Sequence, residues 1–221
     1  MTSVWPAVWL SISLALITST TLLIIATPLA WWLSRSASKM RPLIEAITAL
    51  PLVLPPTVLG FYLLVLFSPQ NPIGQAWLRV TGETLAFSFS GLVFASLIYS
   101  LPFAVQPLRS AFQDVGRAPL EAASTLGANP VQQFFYVAFP LARKGYLSAF
   151  VLSFAHTLGE FGVVLMVGGN IPGQTRVISI EIFNRVETLD YSNAHWLSGG
   201  LLLTSVLVLV IVFSLQKRVL P

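Results

Sequence analysis

Long uncharged runs alternate with short polar ones along this chain, and that alternation predicts the elements. Residues 8–33 carry no charge and are long enough to span a bilayer core of roughly 30 Å with some tilt. Trp31 and Trp32 close the run as interfacial aromatics do. A short basic loop, 34–44, leads to a second apolar run at 46–67. The third run is 84–108, the fourth 146–169 and the fifth 196–215. Between the third and fourth lies a polar stretch, 109–145. The expected fold is all-α and polytopic, one transmembrane domain over 1–221 with five spans.

Proline punctuates the runs. Pro51, Pro55 and Pro56 remove backbone donors from the second span, which must kink or unwind there. Irregular backbone at membrane depth survives only inside protein or beside water. Pro51, Pro55, Pro56 and Thr57 are either a packing kink or a break that lines a pathway, and the pathway is the favoured reading. The third span is expected to bend near Pro102 and Pro107. Residues 68–83 read as a turn-rich loop. In 170–195, Ile178, Ile182, Val186 and Leu189 recur at helical spacing and predict an amphipathic helix at the surface or dipping partly into the membrane.

Composition sharpens the class. The chain has 221 residues, 55% hydrophobic and 9% charged, against about 25% charged in soluble proteins, and its mean hydropathy is +0.80. Cysteine is absent, which excludes disulfides and thiolate metal sites. The first apolar run lacks a basic leader and reads as a span, not a cleaved signal. The net charge of +4 needs no nucleic acid to explain it. Nine of the twelve basic residues fall on one side of the five spans: Arg35, Lys39, Arg41, Arg109, Arg117, Arg143, Lys144, Lys217 and Arg218. Arg79, Arg176 and Arg185 fall on the other. The positive-inside rule then puts the C-terminus in the cytoplasm and the N-terminus outside.

The stretch from Pro119 to Pro140 predicts two short helices and a corner. Pro119 suits a first helical turn, and Glu121 in that turn complements the helix dipole. Gly127 supplies the left-handed residue that ends a helix. Asn129 caps a second helix with Pro130 at its first position, and Pro140 is expected to stop it.

The spacing Glu121-Ala122-Ala123, three residues, Gly127, nine residues, Val137-x-Phe139-Pro140 resembles the EAA motif of permease subunits of bacterial ABC importers. Val137 and Phe139 stand where that pattern has Ile and Leu. The resemblance implies that this segment is a coupling helix inserted into a cytoplasmic ATPase. Glu121, Ala122, Ala123, Thr125, Leu126, Gly127, Ala128 and Pro130 are then its docking residues. The alternative for Glu121 is an exposed helix-start charge.

The fourth run carries a second candidate site, His156, Gly159, Glu160 and Gly162. In a continuous helix from Tyr146, Glu160 lies ~21 Å along, well inside the core. An intramembrane carboxylate must face protein or water. His156, four residues earlier, shares its face and is expected to pair with it. Gly159 and Gly162 are expected to admit a neighbouring helix. The segment is either part of a gate or a satisfied polar pair that pins two helices. Thr18, Ser19, Thr20 and Thr21 offer hydroxyls to an anion or, the better reading, to neighbouring helices. Arg176 and Arg185 read best as solvated loop charges.

Residues 50–60, Leu158-Gly159-Glu160-Phe161-Gly162 and Asn170-Ile171-Pro172-Gly173-Gln174-Thr175 look like the molybdate branch of these permeases, with the sulfate branch close by. His156 departs from that pattern, which favours Arg. The resemblance covers roughly 8–215. It implies a homodimer in a prokaryotic inner membrane, two ABC ATPase subunits inside and an oxyanion-binding protein outside. The transported anion is then molybdate or tungstate, with sulfate or thiosulfate as the alternative. No Gly-Lys dipeptide exists for a phosphate loop, so ATP and Mg belong to the partner ATPase, and this chain holds no cofactor and no catalytic residue. A secondary transporter would call for inverted repeats and more intramembrane charge. A membrane enzyme would call for a motif such as His-Glu-x-x-His. Neither is present.

Overall fold

The computed structural model describes residues 4–217; Arg218, counted above with the basic residues, lies outside them. Among the described residues every regular element is helical. Helix α1 runs Trp5–Arg35, α2 Arg41–Ala49, α3 Pro56–Phe67, α4 Pro72–Thr81 and α5 Phe89–Val115. Then come α6 (Ala118–Thr125), α7 (Pro130–Gln133), α8 (Phe139–Leu141), α9 (Arg143–Gly159), α10 (Gly162–Gly168), α11 (Ile178–Glu187) and α12 (Tyr191–Lys217).

Three described helices, α1, α5 and α12, are long and apolar enough to cross a membrane. Each of two bent pairs makes a further candidate. A turn of 106° separates the α2 segment from α3, and one of 63° separates α9 from α10. The α2–α3 turn leaves α3 with twelve residues, ~18 Å of helix, so residues 46–67 are not one rod. Three prolines explain the break. A short 3-10 turn ends at Leu52, and the chain restarts at Pro56 behind extended Pro55. By contrast α5 runs unbroken through Pro102 and Pro107.

Packing of α1, α5 and α9 forms the centre. Ala26 and Ala30 of α1, Ala104 of α5 and Ala149 of α9 are fully buried beside Leu22, Leu33, Leu108 and Phe112. Small residues let membrane helices approach closely, where dispersion and interhelical bonds replace the hydrophobic drive. Gly145 shows this: a side-chain carbon there would collide with Ala111 and the Pro107 carbonyl. A second cluster joins Leu63 and Phe67 of α3 to Ala95 of α5 and Val163 and Val167 of α10. Long apolar side chains on α12, such as Leu202, Leu203 and Leu207, remain exposed, as lipid-facing positions do.

Two polar stretches depart from expectation. Residues 68–83 are not only turn: they hold α4, capped by Asn71 Oδ1, which accepts from Ile73 N–H at 3.2 Å, and closed by left-handed Gly82. Helix α11 forms as expected, but a different face is buried. Val177, Ile180 and Glu181 point inward, while Val186 and Leu189 are exposed. The cause is anchoring at the α11 start. Ile178 N–H donates to Ser11 Oγ of α1 at 2.7 Å, and Ser179 Oγ donates to the Glu160 carbonyl at 2.6 Å. Ordinary solvated charge does not describe the arginines here. Arg185 pairs with Glu181 and Asp190, each at 2.9 Å, and Arg176 reaches Glu181 at 3.4 Å.

Candidate docking corner and broken spans

The corner is built almost entirely by local rules. Pro119 sits in the first turn of α6. Leu120 is the anchor, buried among Phe112, Ala138 and Ala142. Glu121 and Ala122 face outward and Ala123 is half-buried. At the end of α6, Gly127 adopts φ +86°. Its N–H bonds to the Ser124 carbonyl at 2.9 Å, and Ala128 N–H bonds to the Ala123 carbonyl at 3.0 Å. This is the Schellman pattern that satisfies the last carbonyls of a helix. Asn129 and Gln132 then form a reciprocal capping box, both bonds 2.9 Å, which fixes the start of α7. Gln133 Nε2 ties back to the Ala128 carbonyl at 2.9 Å. Thr125 Oγ1 bonds within its own helix, to Ala122 O.

Pro140 does not stop the second helix. A wider turn over Phe134–Ala138 passes directly into α8, with Phe139 N–H bonded to Phe134 O five residues back. That register change puts Pro140 in the first turn of α8, where a missing donor is harmless. The interruption falls instead at Ala142 (φ −82°, ψ 2°). An aromatic group holds the corner on the bundle: Trp31 meets Phe112 at 5.1 Å and Phe134 at 5.3 Å between ring centroids. Outward it presents Leu126, 89% exposed, together with Val131, Phe135, Tyr136 and Leu141. A corner that presents exposed apolar side chains and the exposed Glu121 carboxylate has the make-up of a docking surface.

The two broken spans meet each other. Their restarting ends, at Pro56 and at Gly162, touch: a side-chain carbon at Gly162 would lie 2.8 Å from Pro56 Cβ. Below them, Gly60 packs on Met166 and Val163. Pro51 is buried, whereas Pro55, Pro56 and Thr57 are exposed. Gly159 does not admit a helix, because nothing lies within 4 Å of a side chain there.

The expected His156–Glu160 pair is also not formed. Helix α9 ends at Gly159, and Glu160 has extended backbone (φ −67°, ψ 132°), so the two side chains no longer share a helical face. Both turn instead to α5. Ser96 Oγ donates to Glu160 Oε2 at 2.9 Å. One turn along, Ser100 Oγ lies 2.9 Å from both His156 Nδ1 and Thr157 Oγ1. The His156 ring stacks on Phe103 at 3.9 Å. Glu160 is only 4% exposed, and its Oε1 has no partner among the described residues. This geometry favours helix pinning over an open, wet path. The α1 hydroxyls do not show the expected bonds to neighbouring helices: buried Ser19 bonds back to Ala15 O of its own helix, and buried Thr18 Oγ1 has no partner among the described residues.

Residues 23–221 match the family model described as binding-protein-dependent transport system inner membrane component. The chain belongs to this family. The match takes in the docking corner and both breaks. Among curated relatives, the molybdenum transport system permease protein ModB of Azotobacter vinelandii is 54% identical, over 96% of this chain and 93% of that one. The sulfate transport system permease protein CysT of Escherichia coli K12 is 35% identical, over 86% of this chain and 68% of that one. Among solved structures, an inward-facing MetNI methionine ABC transporter chain superposes with a TM-score of 0.73. It is 15% identical and covers 97% of this chain and 95% of that one, a likeness of fold. As an inner membrane transport component, the chain is a transport subunit and not an enzyme.

Proposed function

We propose that this chain is the membrane-spanning permease subunit of an ATP-driven importer for a tetrahedral oxyanion, molybdate or tungstate. The observation that carries the substrate is the 54% identity to a molybdenum permease over nearly the whole chain, against 35% to the sulfate permease. The corner end lies in the cytoplasm, as the basic residues argue, and the C-terminus with it. Two copies form the permease, because the break residues Pro55, Pro56 and Thr57 lie open on one protomer and a facing copy would enclose them. The exposed rim around Glu121 docks the ATPase, one subunit per copy. An extracytoplasmic oxyanion-binding protein delivers the anion from the other side. ATP and Mg stay on the ATPase.

The mechanism is alternating access. Closure of the ATPase pair drives the two corners together, and the Trp31–Phe112–Phe134 contacts carry that motion into α1 and α5. The path needs no strong site. The α3 restart offers an anion the Thr57 hydroxyl and N–H but little more, since Pro55 and Pro56 carry no N–H. Weak contacts suit a conduit that must release what it admits. The test is uptake in cells lacking their own molybdate permease, supplied with this chain and its partner subunits. Labelled molybdate enters and tungstate competes, whereas excess sulfate does not. Sulfate entry without molybdate entry would move the chain to the sulfate branch.

A further inference from the structure

A second feature lies at the corner end, and of the docking residues only Glu121 borders it. The end of α1, the turn after it, the end of α5 and one side of α6 enclose a cleft of about 630 Å³, within the range of small-ligand sites. Arg35, Arg41 and Arg117 line it, with Ser36, Gln113 and Ser124. Arg41 already has partners: its Nε meets Glu45 Oε1 at 2.7 Å, an oxygen that Arg109 also reaches at 3.0 Å, and its Nη1 bonds to Ser36 O. Arg35 lies over the Trp31 ring at 4.2 Å and donates to the Gly116 carbonyl at 3.3 Å. Neither Arg35 nor Arg117 forms an ion pair among the described residues. Arg117 instead bears on Arg35 as a like charge. Glu121, the one carboxylate on the wall, pairs with neither.

Two unneutralised guanidiniums in one concavity focus positive potential. Their forked donors suit the oxygens of a phosphate group. Trp32, exposed three residues before Arg35, sets the cleft at the depth where aromatic belts meet headgroups. Basic pockets between spans at that depth suit anionic headgroups.

We propose that the cleft between the end of α1 and α6 binds a phosphate group held by Arg35 and Arg117. Its source is either an anionic phospholipid headgroup or the free inorganic ion. Because α6 forms one wall, the occupant braces the helix that carries Glu121.

The full chain in phosphatidylcholine nanodiscs, followed by tryptophan fluorescence on heating, tests this. Saturating inorganic phosphate should raise the wild-type Tm by roughly 5 °C. Arg117→Gln should abolish the rise. Lys39→Gln, an exposed charge nearby but off the cleft wall, should keep it. Replacing about a fifth of the lipid with phosphatidylglycerol separates the sources. If the headgroup occupies the cleft, Tm rises without phosphate and added phosphate does nothing more. If the free ion occupies it, the phosphate response persists. A wild type indifferent to both phosphate and phosphatidylglycerol overturns the proposal. So does an Arg117→Gln response equal to wild type, or an equal loss in Lys39→Gln.

Discussion

Two glycines three residues apart, Gly159 and Gly162, should respond to alanine with opposite signs. Neither needs a left-handed φ, so backbone strain does not enter. At Gly162 the new methyl would sit 2.8 Å from Pro56 Cβ, where ordinary contact begins near 3.4 Å. The neighbour is a proline ring at a helix start and cannot rotate away, so α10 and α3 must separate by about 0.6 Å or more. Overpacking of this kind costs about 1–3 kcal/mol, or roughly 2–12 °C in Tm for a chain of this size. At Gly159 a methyl meets nothing within 4 Å. The position ends α9, so alanine should be neutral or stabilising by up to ~1 kcal/mol. The assay is a Tm from tryptophan fluorescence in one detergent for wild type and both variants, with uptake measured in parallel. Gly162→Ala should lose both stability and transport, and Gly159→Ala should keep both. Equal Tm values for the two variants would refute the claim that the broken spans meet at Pro56 and Gly162.

Three further outcomes follow from the corner and from the loop at the other end. Leu126→Asp should leave Tm unchanged, since Leu126 is 89% exposed, yet abolish co-purification of the ATPase. Gly127→Ala must hold a side chain at φ +86° at a cost of about 1–2 kcal/mol. It should lower Tm by a few degrees and weaken ATPase binding less than Leu126→Asp does. Asp190 is held below the ordinary carboxylate range by hydrogen bonds from Asn193 and then Arg185. Its folded pKa is the depressed one, so its contribution is present above the unfolded pKa of about 3.9 and is lost as pH falls through the lower folded value. Asp190→Asn should therefore flatten the acid limb of the Tm–pH curve below about pH 4 and leave the neutral limb parallel to wild type.

What could be read from the sequence was what local chemistry decides. The corner needs only Pro119, Gly127, Asn129 and Pro130 in their capping roles, and each takes the conformation its residue type prefers. The α2–α3 break follows from prolines. The break at Glu160 has no such marker. It rests on partners far along the chain, Ser96 for the side chain and Ser179 for the carbonyl. Spacing on an assumed straight helix therefore paired His156 with Glu160, although both bond to α5. The buried face of α11 was missed for the same reason, because Ser11 sets its rotation from 167 residues away. Helix α4 carries its own start and stop signals, Asn71-Pro72 and Gly82, within a stretch that also reads as turns.

The most direct measurement is ATP-dependent uptake of labelled molybdate into proteoliposomes holding this chain, its ATPase and its binding protein, for wild type and Glu121→Lys. Wild type should accumulate molybdate only with ATP and the binding protein present. Glu121→Lys, at an exposed position, should keep its Tm and lose both uptake and ATPase co-purification. Normal ATPase binding and normal uptake by Glu121→Lys would contradict the coupling role of the corner.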